Sequence, residues 1–68
     1  MASGTVKHFD DKKGYGFITP SEGGKDVFFH HSVIQGEGFK TARPGEMVDY
    51  EAIQDVKGPK ATKVVRKG

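Results

Sequence analysis

Apolar and polar residues alternate in five short segments of this 68-residue chain, and glycine-rich polar stretches separate the segments. Alternation with a period of two is typical of β-strands with one buried face, and glycine, proline and aspartate mark the turns between them. Between the third and fourth segments, Ser32–Ile34 has room for one helical or 3₁₀ turn only. The pattern predicts strands at about Thr5–Asp10, Tyr15–Pro20, Asp26–His30, Met47–Ile53 and Lys60–Val65.

The apolar composition favours an all-β fold. The chain has no Leu and no Trp, and seven Val, three Ile and five Phe supply most of its apolar side chains. β-Branched and aromatic residues suit a pleated sheet, whereas the lack of Leu with only four Ala argues against a helical bundle. Five short strands favour a five-stranded antiparallel barrel of the OB or SH3-like type, which leaves no free sheet edge. We expect one domain over residues 1–68, with its core at about residues 4–66.

Several functional classes are disfavoured by what the sequence lacks. The absence of cysteine excludes disulfides and cysteine-based metal or redox sites. No apolar run approaches the ~20 residues of a membrane span, so a membrane partner is not expected. The first residues have no basic and hydrophobic regions of a signal peptide, which indicates a cytoplasmic location. The net charge of +2 is too small to identify a nucleic-acid partner by itself.

The apolar side chains of the second and third predicted strands cannot all face inward. An aliphatic-rich inner face forms when Ile18 points the same way as Val27 and Phe29. The aromatic residues then left on the outer face are Tyr15, Phe17, Phe28 and His30. Lysines flank this surface, and bases of a single strand stack on aromatic rings with about 1–3 kcal/mol each while lysines contact the phosphates. The pattern therefore indicates a surface for single-stranded nucleic acid.

The residues by themselves leave a purely structural interpretation open. Aromatic residues at alternating strand positions also serve as core or as cross-strand packing pairs. His30 could pair with Asp26, Phe39 could cover one end of the barrel, and the lysines could be ordinary solvated charges.

Two segments resemble the ribonucleoprotein motifs of the cold-shock domain family. Lys13–Ile18, with the sequence KGYGFI, is similar to the first motif, and Val27–Ser32, with the sequence VFFHHS, is similar to the second. Further matches lie at Gly4–Phe9, Ile34–Lys40 and Lys57–Ala61, so the resemblance covers nearly the whole chain in order. It implies a five-stranded antiparallel Greek-key OB-fold barrel. It also implies binding of single-stranded RNA and DNA, preferably pyrimidine-rich, and a role as RNA chaperone and regulator of transcription or translation.

The resemblance also assigns individual residues to the binding surface. The residues it implies for base stacking are Tyr15, Phe17, Phe28, His30 and Phe39. Those at basic or polar contact positions are Lys7, Lys13, Lys57 and Lys60. Asp26 matches a position that accepts hydrogen bonds from base edges, and Phe9 is expected to lie partly buried beside the rings. His8 and His31 occupy further contact positions.

Three positions depart from the family pattern. His8 stands where the family usually has Trp, His31 where it usually has Phe or Tyr, and Asp10 where it usually has Asn. Loss of one full stacking interaction would weaken binding by roughly 5- to 150-fold. A histidine ring can still stack, however. Because histidine gains its proton between pH 8 and 5, His8, His30 and His31 could instead strengthen binding as the pH falls from about 7 to 6.

Catalytic residues, metal sites and cofactors are not expected. His30 and His31 are neighbours, so on a regular strand they would point to opposite faces, and no third metal ligand is evident. Ser32 beside His31 does not make a triad, and Asp10–Asp11 is typical of a turn. Gly14–Gly16 lacks the strand and helix that flank a phosphate-binding loop. We therefore predict a binding protein that is not an enzyme.

Two alternatives remain open at this point. The same barrel could be a protein-interaction module that uses its exposed aromatic residues to bind a partner or a second copy, with weakened nucleic-acid binding. A monomer is expected, and a dimer that exchanges strands through residues 31–46 is the other possibility.

Overall fold

The strands lie close to their predicted positions. The computed structural model of the chain describes residues 2–35 and 42–66. Its elements are β1 (Ala2–Asp10), β2 (Tyr15–Pro20), β3 (Val27–His30), a 3₁₀ turn (His31–Val33), β4 (Ile34–Gln35), β5 (Met47–Asp55) and β6 (Gly58–Arg66). β2 has the predicted bounds, and the 3₁₀ turn begins one residue earlier than predicted. Alternation does not reveal β4, because two residues are too few to show a period.

Five of the strands close into a barrel, which confirms the predicted all-β barrel of five strands. Their order is β3-β2-β1-β5-β6, and β6 pairs back onto β3. Four seams are antiparallel, and the closing seam between β3 and β6 is parallel, with Phe28 opposite Lys60. An antiparallel arrangement cannot hold at every seam, because alternating directions do not match around a ring with an odd number of strands. β4 pairs in parallel with β6 beyond this seam, with Ile34 opposite Val64.

A β-bulge at Lys7 sets which side chains of β1 face outward. Val6 pairs with Ile18, but the next residue to pair, His8, lies opposite Phe17, so Lys7 is the extra residue. Without this bulge, alternation would turn His8 inward and Phe9 outward. With it, His8 is exposed, and the ring of Phe9 stacks on the buried ring of Phe29 at a centroid distance of 5.7 Å. The bulge therefore places His8 on the same outer surface as Phe17.

The core is built from β-branched, aromatic and small side chains drawn from every strand of the barrel. Among the described residues, no polar or charged residue other than tyrosine is buried. The predicted inner residues are confirmed, since Ile18 and Phe29 are fully buried and Val27 is 3% exposed. The remaining buried residues of the core are Val6, Ile34, Ala42, Val48, Tyr50, Ala61 and Val64.

An ion pair joins the residue before β5 to the last residue of β6. Arg66 donates from Nε to one carboxylate oxygen of Glu46 at 2.9 Å and from a terminal nitrogen to the other at 2.8 Å. These hydrogen bonds, followed by the positive charge of Arg66, hold the pKa of Glu46 below its ordinary value of 4.5, although burial opposes them. The backbone carbonyl of Glu46 also accepts from the amide of Val6 at 2.8 Å. The ion pair thus holds the start of β5 to the end of β6, and the backbone hydrogen bond holds it to β1.

Within the described ranges, no helix is long and apolar enough to cross a membrane.

Candidate nucleic-acid interface

Five rings from three adjacent strands lie together on the outside of the barrel. We call this surface the aromatic face, and its members are His8 from β1, Tyr15 and Phe17 from β2, and Phe28 and His30 from β3. Strand register aligns them, because Tyr15 lies opposite His30, and Phe17 lies opposite both Phe28 and His8. His8 is exposed and the other four are half-buried. The structure thus brings the predicted outer residues together, and it adds His8 through the bulge.

The rings of the aromatic face pack against one another. Tyr15 and Phe28 have their centroids 5.5 Å apart, and Phe17 lies edge-on to Phe28 at 5.8 Å and to Tyr15 at 6.2 Å. His8 stacks on Phe17 at 5.9 Å with an interplanar angle of 26°. Cross-strand packing, the alternative that the sequence left open, is therefore present as well. It holds these four rings in place on their strands, so their exposed parts form a preorganised surface.

Gly16 separates Tyr15 and Phe17 and faces the interior. A Cβ at this position would collide with the backbone carbonyl oxygen of His8 and would lie 3.0 Å from both Cζ of Phe29 and Cα of Phe9. The lack of a side chain lets β1 and the Phe29 ring approach the β2 backbone. Gly16 therefore allows close packing on the inner side of the strand that carries Tyr15 and Phe17.

His30 is held by Ser32 and does not pair with Asp26. Nδ1 of His30 accepts from the backbone amide of Ser32 at 3.2 Å and lies 2.9 Å from the Ser32 hydroxyl. This contact caps the 3₁₀ turn that follows β3. Sequence analysis did not identify Ser32 as part of the surface, and the spacing of His and Ser by two residues is the signal for such a local cap.

His31 lies beside His30, which corrects the expectation that the two rings point to opposite faces. Their centroids are 4.3 Å apart, with an interplanar angle of 38°. The strand ends at His30 and His31 begins the 3₁₀ turn, so strand alternation no longer applies. The His31 ring packs over Gly14, where a side chain would collide with it. In the part of the chain that the structure describes, no group of three or more His, Cys, Asp or Glu residues could hold a metal ion.

Asp10 organises the turn between β1 and β2. Its Oδ1 accepts from the backbone amides of Lys12 at 2.9 Å and Lys13 at 3.1 Å, and its carbonyl accepts from Gly14 at 2.7 Å. Asp10 therefore has the predicted role in a turn. The carboxylate also fixes the backbone that carries the exposed side chain of Lys13.

Lysines approach the aromatic face from two sides. Lys7 and Lys13 belong to β1 and the turn after it, and Lys57 and Lys60 come from the β5–β6 hairpin. All four are exposed. Lys7 forms an ion pair with Asp26, with 2.9 Å between Nζ and Oδ2.

A cleft borders the aromatic face along the β5–β6 hairpin. It is lined by Phe17 and Phe28 on one side and by residues 55–60 on the other. Val56 in this hairpin is fully exposed, and sequence analysis did not single it out. The sequence feature that could have identified Val56 is an apolar residue between two charged ones, Asp55 and Lys57, at a hairpin tip.

Phe39, which the resemblance places in the stacking set, lies outside the described residues.

Comparisons with known proteins agree with the motifs. Residues 2–67 match the family described as 'Cold-shock' DNA-binding domain. The chain is 52% identical over 62 residues to the cold shock-like protein CspE of Escherichia coli (strain K12), covering 91% of this chain and 90% of that protein. It is 53% identical over 66 residues to the cold shock protein CspB of Bacillus caldolyticus, covering 97% and 98%.

A solved structure, drosophila Unr CSD456, has a similar fold. Its TM-score is 0.79 at 18% sequence identity, and the match covers 98% of this chain. This chain corresponds to 26% of the length of that structure. At this identity the likeness concerns the fold alone.

Proposed function

This chain belongs to the cold-shock domain family, and from that premise we propose that it binds single-stranded RNA and DNA through its aromatic face. The observation that carries the proposal is the cluster of half-exposed rings, with lysines on two sides, on the outer side of β1, β2 and β3. Clusters of this kind are rare on surfaces without a binding partner, because exposed apolar area contributes nothing to folding.

The geometry favours single strands over duplexes. A ring can stack only on a base whose own face is free, and a duplex offers base edges in its grooves instead. Tyr15, Phe17, Phe28 and His30 provide ring surface for unpaired bases, and His8 extends this surface by one smaller ring. Lys13, Lys57 and Lys60 lie at its borders, where phosphates between stacked bases would pass.

Binding of this kind holds a strand unpaired without any chemical step. Each base that stacks on the aromatic face is unavailable for pairing, which is the physical basis of an RNA chaperone and of regulation through RNA or DNA. We include both roles in the proposal, together with a preference for pyrimidine-rich segments and action as a monomer. Each phosphate contact contributes about −0.7 to the slope of log K against log salt for a single strand, so three lysines give a slope near −2.

Fluorescence anisotropy with a labelled thymidine heptamer tests the proposal. The wild-type protein is compared with Phe28→Ala at two salt concentrations, and a duplex of matched length is included. We expect salt-sensitive binding that is selective for the single strand and at least fivefold weaker in Phe28→Ala, because one stacking interaction contributes about 1–3 kcal/mol.

Met47→Ala is the matched control, since Met47 is another exposed apolar residue and lies at the start of β5. It should bind as the wild type does. Binding that ignores salt and treats single strand and duplex alike would contradict the proposal and favour a protein-interaction module.

A further inference from the structure

The ion pair between Lys7 and Asp26 crosses the border of the aromatic face. Lys7 belongs to β1 and Asp26 directly precedes β3, while β2 lies between these two strands in the sheet. The bond between Nζ and Oδ2, 2.9 Å long, therefore spans the outside of β2. Neighbouring strands are about 4.8 Å apart, so only a side chain as long as lysine can make this connection.

The bulge is what makes Lys7 available for this pair. As the extra residue between the pairs Val6–Ile18 and His8–Phe17, Lys7 has no residue opposite it in β2. Its side chain is 62% exposed, and that of Asp26 is 33% exposed. The pair is thus accessible to solvent and can exchange partners.

The other lysines at the aromatic face differ from Lys7. Within the described residues, Lys13, Lys57 and Lys60 form no ion pair, so their full charge is available to a phosphate. A phosphate that contacts Lys7 must first displace the carboxylate of Asp26, which then recovers a counterion from solution. Because that uptake offsets the counterion released at the phosphate, contact with Lys7 adds little to the salt dependence of the binding constant.

We propose that Asp26 acts as an internal competitor for Lys7, which lowers the affinity of the aromatic face for phosphates. This inference rests on the proposed function and refines it. It differs from the role implied by the family resemblance, in which Asp26 accepts hydrogen bonds from base edges. Removal of the carboxylate should raise the affinity for the single strand if Asp26 competes for Lys7, and should lower it if Asp26 contacts a base.

Affinities of the heptamer for wild type, Asp26→Asn, Asp26→Ala, Lys7→Gln and the double variant Asp26→Asn/Lys7→Gln test the inference across a salt series. Exposed ion pairs contribute roughly 0.2–1 kcal/mol, so release of Lys7 should strengthen binding by up to about fivefold in both single Asp26 variants. The salt slope should steepen by about 0.7, from near −2 to near −2.7. In the double variant, both effects should disappear.

Glu51→Gln is the control for charge alone, because Glu51 is an exposed acid on β5 that takes no part in the pair. A gain of the same size in Glu51→Gln, or a gain in Asp26→Asn that persists without Lys7, would overturn the inference in favour of a general field effect. Weaker binding by Asp26→Ala than by wild type would overturn it in favour of a base contact. Wild-type binding is measured in the same series, so either outcome leaves the proposed function standing.

Discussion

The two sides of the β2–β3 hairpin use similar side chains for opposite purposes. On the inner side, Phe29 is fully buried and stacks on Phe9. On the outer side, the adjacent Phe28 is half-buried and packs against Tyr15 and Phe17 while part of its ring remains exposed. Successive residues of a strand point to opposite faces, so position and not residue type decides which phenylalanine stabilises the fold. The outer phenylalanine keeps part of its ring exposed, which the proposed binding function requires.

Two ion pairs among the described residues show the same contrast. The Glu46 side chain is 14% exposed and accepts two hydrogen bonds from Arg66, which joins two strands of the barrel. Lys7 and Asp26 make one bond at the border of the aromatic face, where both are more exposed. Burial and bidentate geometry favour a structural role for the first pair, and exposure favours partner exchange for the second.

Replacement of Phe29 is expected to have the largest effect. Phe29→Ala removes a fully buried ring and should lower the free energy of unfolding by about 3–5 kcal/mol. A domain of 68 residues has a stability of roughly 3–10 kcal/mol, so much of the protein should unfold at 37 °C. Urea unfolding followed by circular dichroism measures the change. Phe28→Ala should lose far less stability, and an equal loss in both variants would refute the division between the two sides.

A methyl group added at Gly16 tests how tightly the inner side of the β2–β3 hairpin is packed. Gly16→Ala would bring a carbon into collision with the backbone carbonyl oxygen of His8 in β1 and place it 3.0 Å from the Phe29 ring. Overpacking of this kind costs about 1–3 kcal/mol, and thermal unfolding should show a lower Tm. Thr19→Ala, at an exposed position of the same strand, should leave Tm nearly unchanged. A normal Tm for Gly16→Ala would mean that the inner side is less tightly packed than the structure shows.

Acid should weaken the structural ion pair between Glu46 and Arg66. Arg66 lowers the pKa of Glu46 from its ordinary value of 4.5, so the folded state favours the ionised carboxylate. This contribution to stability is present above pH 4.5 and is lost as the pH falls below it, through the lowered pKa of the folded state. Urea midpoints between pH 6 and 3 should therefore fall more steeply for wild type than for Glu46→Gln. Parallel curves for the two proteins would show that the pair adds no stability.

His8 is expected to give the smallest of these effects. Its ring is exposed and stacks on Phe17, so His8→Ala should weaken binding of the thymidine heptamer, but by less than Phe28→Ala does. Equal binding by wild type and His8→Ala would show that the His8 ring adds no stacking surface.

Much of the aromatic face could be predicted from alternation, but its edges could not. Ile18, Val27 and Phe29 define the inner side, and the outer positions of Tyr15, Phe17 and Phe28 follow from them. His8 could be assigned to this surface only by the family resemblance, because the bulge at Lys7 breaks the alternation of β1. His31 was expected from strand alternation to point away from His30, but it begins the 3₁₀ turn, and its position over Gly14 depends on packing that alternation does not show.

The sequence by itself determined the fold class, the strand positions and the side of β2 and β3 that carries the rings. These properties depend on a period of two and on local turn residues, both of which can be read within a few positions. Only the tertiary structure decided the parallel closure of β3 on β6, the position of His8 over Phe17 and the pairing of Lys7 with Asp26. Each of these depends on register between strands that are distant in the chain, and register is fixed by packing of the whole barrel.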